Sequence, residues 1–267
     1  MIWVDGVAMA DGFFDRGLEY GDGLFETLAV VDGRLRLLDR HLARLSVGCA
    51  RLGLAVPDED ILGRELAAAA RSPGAGVVKL ILTRGRGGHG YAPDPAGSTR
   101  RWLAALPPRA RPIAFAEQGV ALRLCATRLA EQPLLAGLKH LNRLEQVLAR
   151  REWADPDVPE GLMLDVHGRV ISGTMTNVFA VIRDELVTPA LTRAGVAGVM
   201  RGALIEAFRS AGAPVVERDV DLRELGVASE LFVTNALIGA WPVRTFAAHD
   251  WPVGPFARRA QAWVREW

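Results

Sequence analysis

Lysine is nearly missing from this 267-residue chain: of 32 cationic side chains, only Lys79 and Lys139 are lysines and the rest are arginines. Cysteine is as scarce. Cys49 and Cys125 stand far apart without metal-ligand spacing, which excludes a disulfide framework and suggests no zinc site. Net charge is almost absent too, 32 basic against 31 acidic groups giving +1, so no overall field draws the chain to nucleic acid or to an anionic membrane. No apolar run approaches the ~20 residues needed to span a bilayer. The opening MIWVDGVAMADG has no basic stretch leading into an apolar one. No secretory signal is read there, and the expectation is a cytoplasmic protein. Repeats and low-complexity tracts are missing as well. What is present is half hydrophobic and 24% charged, with the two kinds interspersed. Such a composition buries a sizeable core and excludes wholesale disorder.

A codon preference for arginine accounts for the shortage of lysine, and it makes the survivors informative. Guanidinium stays protonated, whereas an ε-amine can lose its proton and bond to a carbonyl carbon. Lys79 lies in Val77-Val78-Lys79-Leu80-Ile81-Leu82, where two-residue alternation puts it on one face with Ile81 and Thr83. A lysine so placed snorkels at a sheet rim or pairs with a carboxylate. Lys139 follows an apolar stretch containing Gly137 and precedes a helical pattern of Leu141, Leu144, Val147 and Leu148. It is expected near the first turn of that helix, where a cation faces the positive end of the dipole and the neutral amine is favoured. A surface lysine at a helix end fits the local pattern equally well, so the wider segment must decide.

The N-terminal third reads as mixed strand and helix. Strands are expected at 2–4 and 24–31, the second ending in Asp32-Gly33, a pair suited to a hairpin into 34–38. Asp39 reads as the N-cap of a helix carrying Leu42, Leu45, Val47 and Leu52, and a second helix is expected from Pro57-Asp58 through Ala70. A strand at 77–83, a glycine-rich loop at 85–97 and a strand near 101–106 follow. The proline- and arginine-dense stretch 107–112 suits a connector. Beyond it come short strands at 120–125, 161–165, 169–171, 177–182, 185–188, 214–218 and 230–234. Helical periodicity appears at 140–153, 200–211 and 256–264. Because strands and helices do not alternate regularly, a two-domain α+β fold is expected rather than a doubly wound parallel sheet. The expected boundaries are an N-terminal domain at 1–107, a linker at 108–118 and a C-terminal domain at 119–267.

The run Leu135-Ala136-Gly137-Leu138-Lys139-His140-Leu141-Asn142-Arg143-Leu144-Glu145-Gln146-Val147-Leu148 closely resembles the lysine segment of the 4-amino-4-deoxychorismate lyases. These are pyridoxal-phosphate enzymes of fold type IV, a group that also holds branched-chain and D-amino-acid aminotransferases. The resemblance extends over nearly the whole chain. Tyr20-Gly21-Asp22-Gly23-Leu24-Phe25-Glu26-Thr27 is similar to the group's N-terminal strand motif, and His41-Leu42-Ala43-Arg44-Leu45 to its arginine-bearing helix. Arg84-Gly85-Arg86-Gly87-Gly88-His89-Gly90-Tyr91 is similar to its glycine-rich loop. Asn177-Val178-Phe179, Gly195-Val196-Ala197-Gly198-Val199-Met200-Arg201 and Thr234-Asn235-Ala236-Leu237 match in order and spacing.

The resemblance implies a smaller N-terminal domain and a larger C-terminal pseudo-barrel domain that binds pyridoxal 5'-phosphate. It implies that Lys139 bonds the cofactor covalently and then carries the proton. Arg44 is expected at the cofactor phosphate, where a guanidinium fork fits a dianion. The amides of Val199 and Met200 are expected there at a helix start, with Asn235 and Ala236 completing the cradle. Phe25 and His89 are expected at the substrate. A homodimer is implied, and Trp3, Phe13, Phe14 and Trp102 are apolar candidates for its contact or for ordinary core packing.

Two positions depart from the family's pattern. Where a glutamate five residues before the asparagine of Asn-x-Phe holds the pyridine nitrogen, this chain has Ser172, and where arginine is expected in the glycine-rich loop it has His89. A hydroxyl does not keep the ring protonated as a carboxylate does, which weakens the electron sink that transamination needs. An elimination that creates an aromatic ring has another driving force. The implied reaction is therefore conversion of 4-amino-4-deoxychorismate to 4-aminobenzoate and pyruvate, a step of folate synthesis. A D-amino-acid or branched-chain aminotransferase stays open as the alternative, and so does a cofactor-free binding protein that has kept the fold. No metal is expected, and binding of nucleic acid through the arginines is disfavoured by the interspersed acids.

Overall fold

The computed structural model describes residues 15–95 and 97–267 together with the backbone of two strands at 2–4 and 7–9. The chain divides into two compact units, Met1–Pro108 with Lys139–Asn142, and Arg109–Leu138 with Arg143–Trp267.

The first unit contains a two-stranded antiparallel pair, β1 (Ile2–Val4) and β2 (Val7–Met9), then α1 (Arg16–Tyr20), β3 (Gly23–Val31) and β4 (Arg34–Leu35). It continues with α2 (Leu38–Leu52), α3 (Glu59–Ala70), β5 (Val77–Thr83) and β6 (Arg100–Leu106). Four strands form an antiparallel sheet in the order β4-β3-β5-β6. Strand alternation sets its faces: Val78, Leu80 and Leu82 are buried while Lys79 and Ile81 are half-buried. Helices α2 and α3 pack on this sheet and bury Leu45, Cys49, Leu62 and Leu66. Asp32 and Gly33 both adopt positive φ, 49° and 73°, the two-residue turn whose twist matches paired strands. Asp39 is not the helix cap. Leu37 holds that position with φ 55° and no side-chain cap, so Asp39 lies in the first turn, where its charge suits the helix dipole.

The second unit opens with α4 (Ala114–Glu117), β7 (Val120–Leu124), α5 (Leu144–Arg150), β8 (Glu160–Leu164) and β9 (Val170–Gly173). Then come β10 (Asn177–Ile182), β11 (Glu185–Pro189), α6 (Val199–Ser210), β12 (Val215–Arg218) and α7 (Leu222–Leu225). Strands β13 (Ala228–Asn235), β14 (Gly239–Phe246), β15 (His249–Asp250) and helix α8 (Pro255–Glu266) complete it. Nine strands make a mixed sheet in the order β12-β11-β10-β13-β14-β7-β8-β9, with β15 on β14. The sheet curls, bringing β9 beside β10. Strands β8 and β10 are buried throughout. Inside lie Leu162, Leu164, Val178, Ala180, Val233, Trp241 and Val243.

Two sequence expectations are corrected. The stretch 108–118 is not an open connector, because α4 forms there and Phe115 packs edge-on against Trp241 at 5.2 Å, within the second unit's core. The helix expected over 140–153 is shorter and starts only at Leu144.

Among the described residues no helix is long and apolar enough to cross a membrane, and no acid, histidine or cysteine cluster suits a metal ion. Cys49 and Cys125 are buried free thiols pushed up by burial to about 11 and about 12, which leaves them protonated and unreactive.

Candidate active site

Lys139 does not sit at a helix start. Its segment is extended and pairs with β3: the Phe25 amide donates to the Lys139 carbonyl at 2.9 Å, and the Leu141 amide donates to the Gly23 carbonyl at 3.0 Å. Asn142 Nδ2 adds a bond to the Gly21 carbonyl at 3.1 Å. These bonds consume the backbone groups a helix would have needed, so the dipole argument for Lys139 falls. Near the amine stand an aromatic ring and a second lysine. Lys139 Nζ lies 4.3 Å from the centroid of the Phe25 ring, and Lys79 Nζ lies 5.7 Å from the same centroid. The chain's two lysines thus meet at one phenyl ring, with Thr27 opposite Lys79 in the strand register. The sequence treats Lys79 as a rim lysine, and only long-range strand pairing reveals this placement.

Alternation along β3 turns Phe25 and Glu26 to opposite faces. Glu26 is buried under α2, where it meets two side chains three residues apart on that helix. Its Oε1 accepts from Arg44 Nε at 2.8 Å, its Oε2 accepts from Arg44 Nη2, and His41 Nδ1 lies 2.6 Å from Oε2. Burial acts to raise the Glu26 pKa, but the Arg44 charge and the hydrogen bonds from His41 and Arg44 hold it below the ordinary value. Burial pushes the His41 pKa down, and this outweighs the hydrogen bond and charge of Glu26, with Arg44 and Lys139 acting in the same direction as burial. Glu26 is therefore anionic and His41 neutral. Neither was singled out from sequence, although both stand inside the quoted motifs.

In the second unit, helix α6 opens at Gly198 with no side-chain cap, which leaves its first amides to be satisfied by another group. Val199 and Met200 are buried there. The preceding turn is clamped from two sides. Gly137, with φ 81°, donates to the Gly195 carbonyl at 2.9 Å and accepts from the Ala197 amide at 3.0 Å. Asn177 Nδ2 donates to the Val196 carbonyl at 2.9 Å, and a Cβ at position 198 would collide with Asn177 Oδ1, so the close approach requires glycine. Lys139 follows two residues after the clamping Gly137. The Asn235 side chain is spent on its own turn, accepting from the amides of Leu237 and Ile238 at 2.8 and 2.9 Å and donating to the Met175 carbonyl. What this turn offers a ligand comes from its backbone, at half-buried Ala236, rather than from the Asn235 side chain.

Ser172 is buried on β9, and its hydroxyl donates to the Gly173 carbonyl at 2.9 Å. The nearby Glu160 does not stand in for the missing glutamate. Its carboxylate accepts from the amides of Gly161, Thr174 and Met175 and from the hydroxyls of Thr174 and Thr176. Both oxygens are thus consumed in shaping the turn that leads into Asn177. His89 is exposed in the loop, where its backbone pairs with Ala92; its ring makes no hydrogen bond among the described residues. Of the apolar interface candidates, Trp102 is 41% exposed, with the Arg100 guanidinium 5.3 Å above its ring. Phe13, Phe14 and the side chain of Trp3 lie outside the described residues.

Comparison with known proteins gives this arrangement relatives. The family model for amino-transferase class IV matches residues 23–246. An aminodeoxychorismate lyase of Vibrio harveyi is 36% identical, with 98% of each chain covered. The crystal structure of 4-amino-4-deoxychorismate lyase from Pseudomonas aeruginosa superposes with a TM-score of 0.91 at 54% identity, covering 99% of this chain and 98% of that one. A D-alanine aminotransferase of Bacillus licheniformis is more distant, 27% identical over 86% of this chain and 80% of its own. The fold is that of the fold type IV enzymes, and the chain belongs to the amino-transferase class IV family.

Proposed function

We propose that this chain is a pyridoxal-phosphate-dependent aminodeoxychorismate lyase, which converts 4-amino-4-deoxychorismate to 4-aminobenzoate and pyruvate. The observation that carries the reading is the placement of Lys139, tied by its backbone to β3 with its amine against Phe25. The donor set fits a phosphorylated aldehyde. An uncapped helix start at Gly198, held by Asn177 and Gly137, offers the amides of Val199 and Met200 to a phosphate, with Ala236 as a further donor; a phosphate role for Arg44 rests on the resemblance of its helix to the family's arginine-bearing one. Lys139 would hold the aldehyde carbon.

Pyridoxal phosphate, when bound, supplies an electron-withdrawing ring next to the substrate's amine nitrogen. The chain's own residues do the rest. Lys139 Nζ would take the proton from the amine-bearing ring carbon. As the carbon–oxygen bond to the enolpyruvyl group breaks and the ring becomes aromatic, Lys139 would return that proton to the methylene carbon of the departing enolate, giving pyruvate. Phe25 presents a flat apolar surface to a six-membered ring. Lys79, on the same face, carries an amine suited to a substrate carboxylate, a contact the sequence left open when the resemblance placed His89 at the substrate. Ser172 gives no carboxylate to the ring nitrogen, which suits an elimination driven by aromatisation better than a transamination. In the same reading the enzyme is cytoplasmic and homodimeric, and the exposed Leu144, Val147 and Leu148 of α5 are apolar surface for a second copy to cover.

The test is direct. Purified protein with pyridoxal phosphate should absorb in the near-visible, and borohydride followed by peptide mapping should label residue 139. Supplied with 4-amino-4-deoxychorismate, it should release 4-aminobenzoate. Turnover of D-alanine or leucine with 2-oxoglutarate at a higher rate would identify an aminotransferase instead. A Ser172→Glu variant should raise transamination relative to lyase activity several-fold, and an unchanged ratio would remove the role given to Ser172.

A further inference from the structure

We infer that Glu26 is a positioning residue for the cofactor phosphate, acting through Arg44; this rests on the proposed role of Arg44 and goes beyond it. The strand that presents Phe25 on one face buries Glu26 on the other, with only 3% of its side chain exposed. A carboxylate in that position is costly unless every oxygen is engaged. Here Arg44 engages both, through Nε and Nη2, and His41 takes a second place on Oε2.

The fork geometry has a directional consequence. A two-point contact along the Nε/Nη2 edge fixes the guanidinium plane and its rotation, which a single hydrogen bond does not. The Nη1 corner then points away from Glu26 by the geometry of the group itself. His41 stiffens the same carboxylate from the other side. Being neutral, it donates from Nδ1, and its buried Nε2 has no hydrogen-bond partner among the described residues. Glu26 and Arg44 therefore form an ion pair, which the histidine orients without adding charge. Packing alone does not call for such a group, since buried ion pairs are often replaceable by apolar side chains without loss of stability. A cation that must meet a ligand in one orientation does call for it.

Pyridoxal phosphate and pyridoxal separate this role from a structural one, because they share the aldehyde and differ in the phosphate. Binding of each to apo-protein is followed by absorbance, and the adduct is trapped with borohydride and mapped to Lys139. Wild type should prefer the phosphorylated form. In E26Q, affinity for pyridoxal phosphate should fall about 10- to 100-fold, the range of one charge-assisted pair, with pyridoxal affinity within about twofold. R44Q should match it, and the double variant should be no worse than R44Q alone. Should E26Q fail to fold, E26D keeps the charge, shortens the reach and should lose the same preference in part. A wild-type ratio in E26Q, or equal loss of both ligands, would overturn the inference while leaving the function intact. A wild-type protein that labels no residue 139 would overturn the function and this inference together.

Discussion

Glu26 in the first unit and Glu160 in the second are both buried, and each is satisfied differently. Glu26 in the first unit is met by side chains, an arginine fork and a histidine. Glu160 in the second is met by backbone amides and threonine hydroxyls, with no ion pair within 4 Å among the described residues. The chemistry that follows is different in kind. A carboxylate neutralised by amides spends itself on the shape of a turn, here the one that delivers Asn177 to the 195–198 segment. A carboxylate facing a guanidinium leaves the shape of the backbone alone and fixes the direction of a cation. The first is architecture, and the second is aim.

The largest expected effect comes from removing what neither carboxylate supplies. Lys139→Arg keeps the charge but not the reactive amine. It should cut 4-aminobenzoate formation by about a thousandfold or more and abolish the borohydride label, with the melting curve little changed. Persistent label elsewhere in the chain would break the comparison by moving the chemistry away from β3. Next comes Glu160→Ala, which strands several buried donors at once. An unfolding loss of about 3–4 kcal/mol is expected, nearly independent of salt, as urea titration would show. A marked salt dependence would mean that Glu160 belongs with Glu26 after all.

Smaller effects appear in the pH dependence of stability. The folded-state pKa of Glu26 is lowered, so its contribution is complete above the ordinary glutamate value and disappears as pH falls through the lowered one. Glu230 is the opposite case. Burial raises its pKa despite hydrogen bonds from the amides of Ala257 and Phe256, so its contribution is complete below the ordinary value and is lost as pH rises through the raised one. Urea midpoints between pH 3 and pH 8 should therefore show E26Q removing an acid-side loss. E230Q should flatten a decline toward neutral pH. Identical slopes for the two variants would contradict the contrast.

Much of this was legible in the sequence, for reasons that are local. The Asp32-Gly33 turn, the apolar alternation of β5 and the α6 periodicity each depend on neighbours along the chain. The Lys139 segment and the motifs around Phe25, Arg44 and Asn177 were legible as a resemblance. The environment of Lys139 was not. Leu141, Leu144, Val147 and Leu148 carry a helical period, but residues 139–142 exchange helix for pairing with β3, a partner more than a hundred positions away. The same distance hid Lys79, whose relation to Phe25 exists only once β3 and β5 are in register. Glu26 and Glu160 were passed over because a lone acid in an apolar strand gives no sign of what will pair with it. Asn235 was expected at the cradle, and nothing in Thr-Asn-Ala-Leu announces that its side chain will close its own turn.

The meeting of both lysines at the Phe25 ring makes the protein unusually easy to interrogate by protein chemistry. A short amine-to-amine cross-linker should join residue 79 to residue 139 in the folded chain and yield one linked pair of fragments after digestion at lysine-free sites. Its yield would serve as a gauge of native assembly in the first unit, and occupancy of that surface by any ligand would register as protection from the reagent.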